Sequence, residues 1–192
     1  MKNRSILISL FAATLPAIAQ QGPQDIHPYF SPRGNCTEAI VSSLNSAQKS
    51  VLVLAYSFTS APIAKALVDS KKRGVEVQVV LDKSQKSEKY TSATFLANEG
   101  VPTFIDSAHA IAHNKVMVID KSTVITGSFN FTKSAEEKNA ENLLVINNAE
   151  LAQTYTANWK VHRTHSQPLP MTSVPYASTS PARSPSNKPS TP

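Results

Sequence analysis

Along the middle of the chain, apolar residues switch repeatedly between a two-residue period and a three-to-four-residue period. Ile26 to Phe30 is a short extended run closed by Ser31-Pro32-Arg33-Gly34. From Thr37 to Ala47, apolar positions 40, 41, 44 and 47 fall at helical spacing. Val51-Leu52-Val53-Leu54-Ala55-Tyr56 is apolar without interruption, which predicts a strand covered on both faces. Ser60 can cap a helix that carries Pro62 in its first turn, striped by Ile63, Ala66 and Leu67 and closed by Lys71-Lys72-Arg73-Gly74. A strand from Val75 to Leu81, a helix from about Glu88 to Asn98 ending at Gly100, and an extended Val101 to Ile105 follow. Lys115 to Ile119 and Thr123 to Thr126 flank Asp120-Lys121-Ser122 as a hairpin. After a short helix (Thr132 to Lys138) and a strand (Leu143 to Ile146), the segment Ala149 to His162 puts Leu151, Tyr155, Trp159 and His162 on one stripe, fit to dock across a sheet. This alternation predicts an α/β fold, a layered α/β/α sandwich whose hairpin makes the β-sheet mixed.

The two ends read differently. Residues 1–19 have a basic start, a short apolar run and the ending Ala17-Ile18-Ala19, the pattern of a cleaved signal peptide rather than a membrane span. Residues 166–192 hold 7 of the 13 prolines and little to bury, and are expected to be a disordered tail. One globular domain, 20–165, lies between. The net charge of +6 falls by two once Lys2 and Arg4 leave, a mild bias toward anionic partners. The single Cys36 excludes an intrachain disulfide and reads best as a buried thiol, with an interchain link as the alternative. No Cys/His cluster has zinc spacing along the chain and no glycine-rich phosphate loop occurs, so neither metal nor cofactor is indicated.

Chemistry concentrates between His113 and Asn130. His113 and Lys115, two apart at the start of a strand, project together and set an imidazole beside an ammonium. Beyond the hairpin, Gly127 lets the backbone bend, and Ser128 and Asn130 present a hydroxyl and an amide. Together they can surround one phosphate. Taken singly, each has a plainer use: a packed histidine, an edge lysine, a turn aspartate at Asp120, a loop at Gly-Ser-x-Asn. Their joint spacing, His-x-Lys, four residues, Asp, six residues, Gly-Ser-x-Asn, is far more specific.

On these residues the sequence resembles the phospholipase D superfamily, and within it the small secreted bacterial endonucleases with one motif per chain. Tyr29-Phe30-Ser31-Pro32, Ala55-Tyr56-Ser57-Phe58-Thr59, Lys72-Arg73-Gly74-Val75 and Asn139-Ala140-Glu141-Asn142 extend the likeness over residues 25–163. The resemblance implies that His113 is the nucleophile, that Lys115 and Asn130 hold non-bridging oxygens, and that Ser128 supports the phosphate or the motif. It implies an orienting and structural role for Asp120, and a carboxylate at Glu141 that holds an imidazole nitrogen. A surface ion pair remains the plainer use of Glu141.

Displacing an alkoxide requires a proton donor, and none of His27, His109, His162 or His165 is followed by lysine two residues on. A second imidazole is therefore expected from a homodimer mate. Lys83, Lys86 and Lys89 follow a strand end and could track a nucleic-acid backbone; Phe129 and Phe131 suit core packing better than base stacking. The expectation is a periplasmic or secreted, nonspecific endonuclease acting on DNA, with RNA left open, and with no stable membrane anchor after signal cleavage. Two alternatives stand beside it. One is a phospholipase D acting on phospholipid headgroups, which should show an exposed apolar lip that the sequence does not reveal. The other is a non-catalytic nucleic-acid-binding or conjugation-associated protein.

Overall fold

A computed structural model describes residues 25–87 and 91–172. The expected signal peptide, Lys89 and the tail from residue 173 onward lie outside the described residues. The elements run β1 (Asp25–Ser31), α1 (Cys36–Ser46), β2 (Ser50–Ala55), α2 (Ala61–Lys72), β3 (Glu76–Asp82), a 3-10 turn (Lys83–Lys86), α3 (Ser92–Asn98), β4 (Thr103–Asp106), β5 (Lys115–Ile119), β6 (Thr123–Gly127), α4 (Lys133–Glu137), β7 (Glu141–Asn147), α5 (Ala149–His165) and β8 (Gln167–Pro168). They form the expected α/β sandwich around one mixed sheet of order β1-β7-β6-β5-β2-β3-β4-β8. β2, β3 and β4 are parallel, and every other pairing is antiparallel.

The pleat sorts the core into two layers. Val51, Val53 and Ala55 of β2, Val77, Val79 and Leu81 of β3, and Met117 and Ile119 of β5 face the helices α1 to α4. Leu54, Val80, Val116 and Val118, of opposite parity, meet Ala152 and Trp159 of α5. Strands apolar at every position are what a sheet covered on both faces requires. Trp159 docks α5 as its stripe predicts, donating its Nε1–H to Val53 O at 2.8 Å. Burial of the aromatic side chains Phe58, Phe129 and Phe131, all fully enclosed, contributes about 2–3 kcal/mol each. Phe129 and Phe131 are therefore core residues. Cys36 is a free, buried thiol, pushed up to about 11 by burial and by the neighbouring Glu136 and Glu141 carboxylates.

Two boundaries differ from the sequence reading. α3 begins at Ser92 because Thr91 is extended and its hydroxyl accepts from Ala93 N. The domain also runs past residue 165. Ser166 is buried, β8 pairs with β4, Leu169 N donates to Thr103 O at 2.8 Å, and Thr172 N donates to Asn98 Oδ1 at 2.9 Å. Proline-rich composition hides this strand, yet Pro168 is tolerated there because an edge strand does not need every N–H. Among the described residues, no helix is long and apolar enough to cross a membrane.

Candidate active site

The carboxyl ends of β2, β3, β4 and β6 and the amino ends of β5 and β7 meet at one end of the sheet, as the pairing directions require. Residues 107–114 cross the ends of the parallel strands on their way to β5 and are pinned at each one. Asp106 Oδ1 accepts from Ala108 N at 3.0 Å, Asp82 Oδ2 accepts from Ala112 N at 2.7 Å, and Tyr56 N donates to Asn114 O at 2.8 Å. Burial opposes the charge on Asp82, but the Ser84 and Ala112 N–H groups outweigh it and hold the carboxyl below its ordinary range. His113 thus emerges from a tethered segment, exposed to solvent, with its ring 4.6 Å from that of Tyr56.

Lys115 has the parity of Met117 and Ile119 and is only 7% exposed. Its Nζ lies 3.0 Å from His113 Nδ1, 3.1 Å from Nε2 and 2.9 Å from His113 O, and 5.3 Å from the centre of the Tyr56 ring. An ammonium can donate only to a ring nitrogen that carries no proton, so a hydrogen bond here requires an imidazole with one bare nitrogen. Burial pulls the Lys115 pKa down, and the charge of Glu141 opposes that pull.

Gly127 (φ 150°) is required where β6 turns toward the site, because a Cβ there would lie 2.3 Å from Asn142 O. That oxygen accepts from both Ser128 N and Phe129 N at 3.1 Å. Ser128 Oγ in turn accepts from Asn142 N at 3.0 Å and Nδ2 at 3.3 Å, which leaves the exposed hydroxyl hydrogen free to donate. Asn130 is fixed between the buried Phe129 and Phe131, and its Oδ1 is buried without a hydrogen-bond partner. A half-turn of the amide exchanges that oxygen for two N–H donors.

His113, Lys115, Ser128, Asn130 and Glu141 therefore share one end of the sheet. Glu141 does not make the expected hydrogen bond to His113. Its carboxylate accepts from Asn139 Nδ2 at 3.2 Å and acts on Lys115 through charge. Asp120 stands at the opposite end of β5, about 17 Å away at 3.3 Å per residue. Its Oδ1 accepts from Lys49 N and Ser50 N at 2.7 and 2.9 Å, and its Oδ2 from Gln48 N at 2.9 Å. Burial would raise its pKa, but these three bonds lower it. Asp120 and Lys121 both take positive φ, 53° and 57°, as a tight hairpin turn demands. Lys83 and Lys86 are exposed in the 3-10 turn after β3, and Lys83 Nζ donates to His109 O at 3.1 Å.

The sequence reading missed one constellation. Asp106 Oδ2 lies 2.8 Å from His162 Nδ1, 3.0 Å from His109 Nδ1 and 3.2 Å from His165 Nε2. No run of close Cys/His spacing signals it, but the two pairs Asp106-x-x-His109 and His162-x-x-His165 are visible in the sequence, and only the sheet brings them together. The reading also saw no apolar lip. Phe30, 66% exposed, and Ile111, 57% exposed, both lie at the site's end of the sheet.

An exposed imidazole beside a buried ammonium at the ends of the strands of a mixed α/β sheet is the arrangement expected of a phosphodiesterase of the phospholipase D type. The "Cardiolipin synthase, PLD-like domain" family matches residues 40–162. A phospholipase D of Rickettsia bellii is 41% identical over 142 residues, 74% of this chain and 71% of the relative. Among solved structures, the phospholipase D family member Nuc from Salmonella typhimurium superposes with TM-score 0.74 at 38% identity, covering 77% of this chain and 99% of that one. NucT from Helicobacter pylori shares the fold, with TM-score 0.71 at 23% identity over 77% of this chain and all of its own. The chain belongs to the phospholipase D superfamily.

Proposed function

We propose that the protein is a secreted or periplasmic, nonspecific endonuclease that hydrolyses nucleic-acid phosphodiesters through a phosphohistidine, with its active site shared across a homodimer. The observation that carries this is the buried Lys115 ammonium 3.0 Å from the ring of an exposed His113, a nucleophile and a fixed positive charge open to a bulky substrate. His113 nitrogen attacks phosphorus; the N–P bond forms as the P–O bond to the leaving alcohol breaks. Lys115, Asn130 and Ser128 stabilise the charge on the non-bridging oxygens, the work a metal ion does elsewhere. Water then attacks phosphorus, the N–P bond breaks, and His113 is regenerated.

The leaving oxygen needs a proton. All five histidines are accounted for: His27 pairs with Asp25, and His109, His162 and His165 surround Asp106. A second His113, protonated and supplied by a dimer mate, is the donor in the first step and the base in the second. Turnover needs one imidazole neutral and its mate protonated, so cleavage falls at both low and high pH. Lys83 and Lys86, exposed at the same end of the sheet, favour a polyanionic backbone as substrate. Asp120 supports the scaffold.

Phospholipid headgroup hydrolysis is the second reading, favoured by the exposed Phe30 and Ile111 and by the names of the curated relatives. Purified protein incubated in chelator with plasmid DNA and with labelled phospholipid vesicles separates the two, at a temperature well below its melting point. DNA cleavage alone supports the nuclease; headgroup release alone overturns it. Mixing His113→Ala chains with wild-type chains should leave mixed dimers unable to complete turnover, and full activity from a monomer would refute the shared site.

A further inference from the structure

Among the described residues, Asp106 at the end of β4 gathers His109, His162 and His165 into one group of potential metal ligands. The sheet order places β3 and β2 between β4 and β5, so this cluster is separate from His113 and Lys115. We propose that Asp106, His109, His162 and His165 bind one divalent transition-metal ion of zinc's class, and that the ion clasps α5 to the segment leading into His113.

The donor set fits such an ion. Three imidazoles and one carboxylate offer four nitrogen and oxygen ligands, a set suited to tetrahedral zinc. One ligand atom from each residue lies within 4.8 Å of all the others, and the three imidazole nitrogens stand 2.8–3.2 Å from the carboxylate oxygen. Tetrahedral ligands at about 2.0–2.1 Å from zinc are about 3.3 Å apart, so small imidazole rotations complete the shell.

Hydrogen bonding alone accounts for the cluster less well. A carboxylate oxygen has two lone pairs, and three ring nitrogens converge on Asp106 Oδ2 while Oδ1 is already taken by Ala108 N. A cation at the point of convergence removes that crowding. The setting favours positive charge as well: His162 and His165 lie in the last turn of α5, where the aligned peptide dipoles make the helix end negative. Their i, i+3 spacing puts both rings on one face. Asp106 is fully buried and His109 is 46% exposed, so the ion has an anchored ligand on one side and a solvent path on the other.

The proposed ion is structural. Its ligands come from a strand end, the 107–112 segment and the final helix, so binding cross-links parts of the chain more than fifty residues apart and holds the segment that delivers His113.

The test is calorimetric titration of chelator-dialysed full-length protein with zinc chloride, repeated with cobalt(II) to record its visible absorption, and with melting temperature measured alongside. The expected result is one ion per chain, a rise in melting temperature on loading, and the strong visible bands of four-coordinate cobalt. His109→Ala and His165→Ala should each weaken binding by about a hundredfold or more, whereas His27→Ala and His113→Ala should not. His109, being half exposed, can be removed without unfolding the domain, so it decides the matter if the His165 variant folds poorly. Absence of stoichiometric binding, or binding that survives both ligand substitutions, overturns the proposal. None of these readouts depends on the substrate.

Discussion

The two ends of β5 carry the same sequence motif and opposite physics. At the amino end, Lys115 is a buried ammonium with a depressed pKa and Asn130 a buried amide oxygen without a partner; beside them His113 faces solvent. At the carboxyl end, Asp120 is saturated by three backbone N–H groups. Polar groups left short of partners cost stability and are kept where something else will use them; polar groups fully matched hold the scaffold. A short signature thus joins a chemical half to a structural half.

The sharpest way to break that contrast is to remove the imidazole. His113→Ala should lower cleavage at least about a thousandfold, while the melting temperature stays near wild type because the ring is exposed; DNA turnover quenched in denaturant at alkaline pH, where a phosphohistidine survives, should then show no covalent protein–DNA adduct. Next, Lys115→Met should abolish cleavage comparably, yet leave the melting temperature unchanged or raised, since a buried charge gives way to an apolar chain of similar length. A large fall in melting temperature would show Lys115 to be structural after all.

At the far end the pattern should reverse. Asp120→Ala should cost about 2–3 kcal/mol in denaturant unfolding, with turnover per folded molecule within a few-fold of wild type. Because its folded pKa is depressed, the Asp120 contribution is fully present above the unfolded value of about 3.9 and is lost as pH falls through the folded pKa. The stability gap between wild type and variant should therefore narrow in acid. The smallest effect concerns the tail. Removing residues 173–192 should leave melting unchanged, whereas truncation after residue 165 should lower stability by about 1 kcal/mol by stripping β8 from β4.

Strand and helix positions were legible because Val51–Ala55, Val79–Leu81 and Val116–Ile119 are uninterrupted apolar runs and the helices keep their stripes. His113, Lys115, Ser128 and Asn130 were legible because strand and turn geometry fixes near neighbours. What escaped the sequence is non-local. Glu136 Oε2 accepts from Thr37 N at 2.7 Å and Oε1 from Asn35 N at 3.2 Å, which caps α1 from ninety-nine residues away or more. Asp106 and His162 meet only because α5 crosses the sheet. Proline-rich composition concealed β8, and the exposure of Phe30 and Ile111 depends on which strand is an edge.

The pleat of β5 also governs which genetic lesions this chain can survive. Four residues separate Lys115 from Asp120, and alternation of side chains makes their number as consequential as their identity. Deleting one would turn the ammonium toward α5 or pull the carboxylate out of reach of the Gln48–Ser50 amides, and adding one would do the same from the other side. Apolar exchanges among Val116, Met117, Val118 and Ile119 leave both ends in place. β5 therefore acts as a ruler, permissive toward substitution and closed to insertion or deletion.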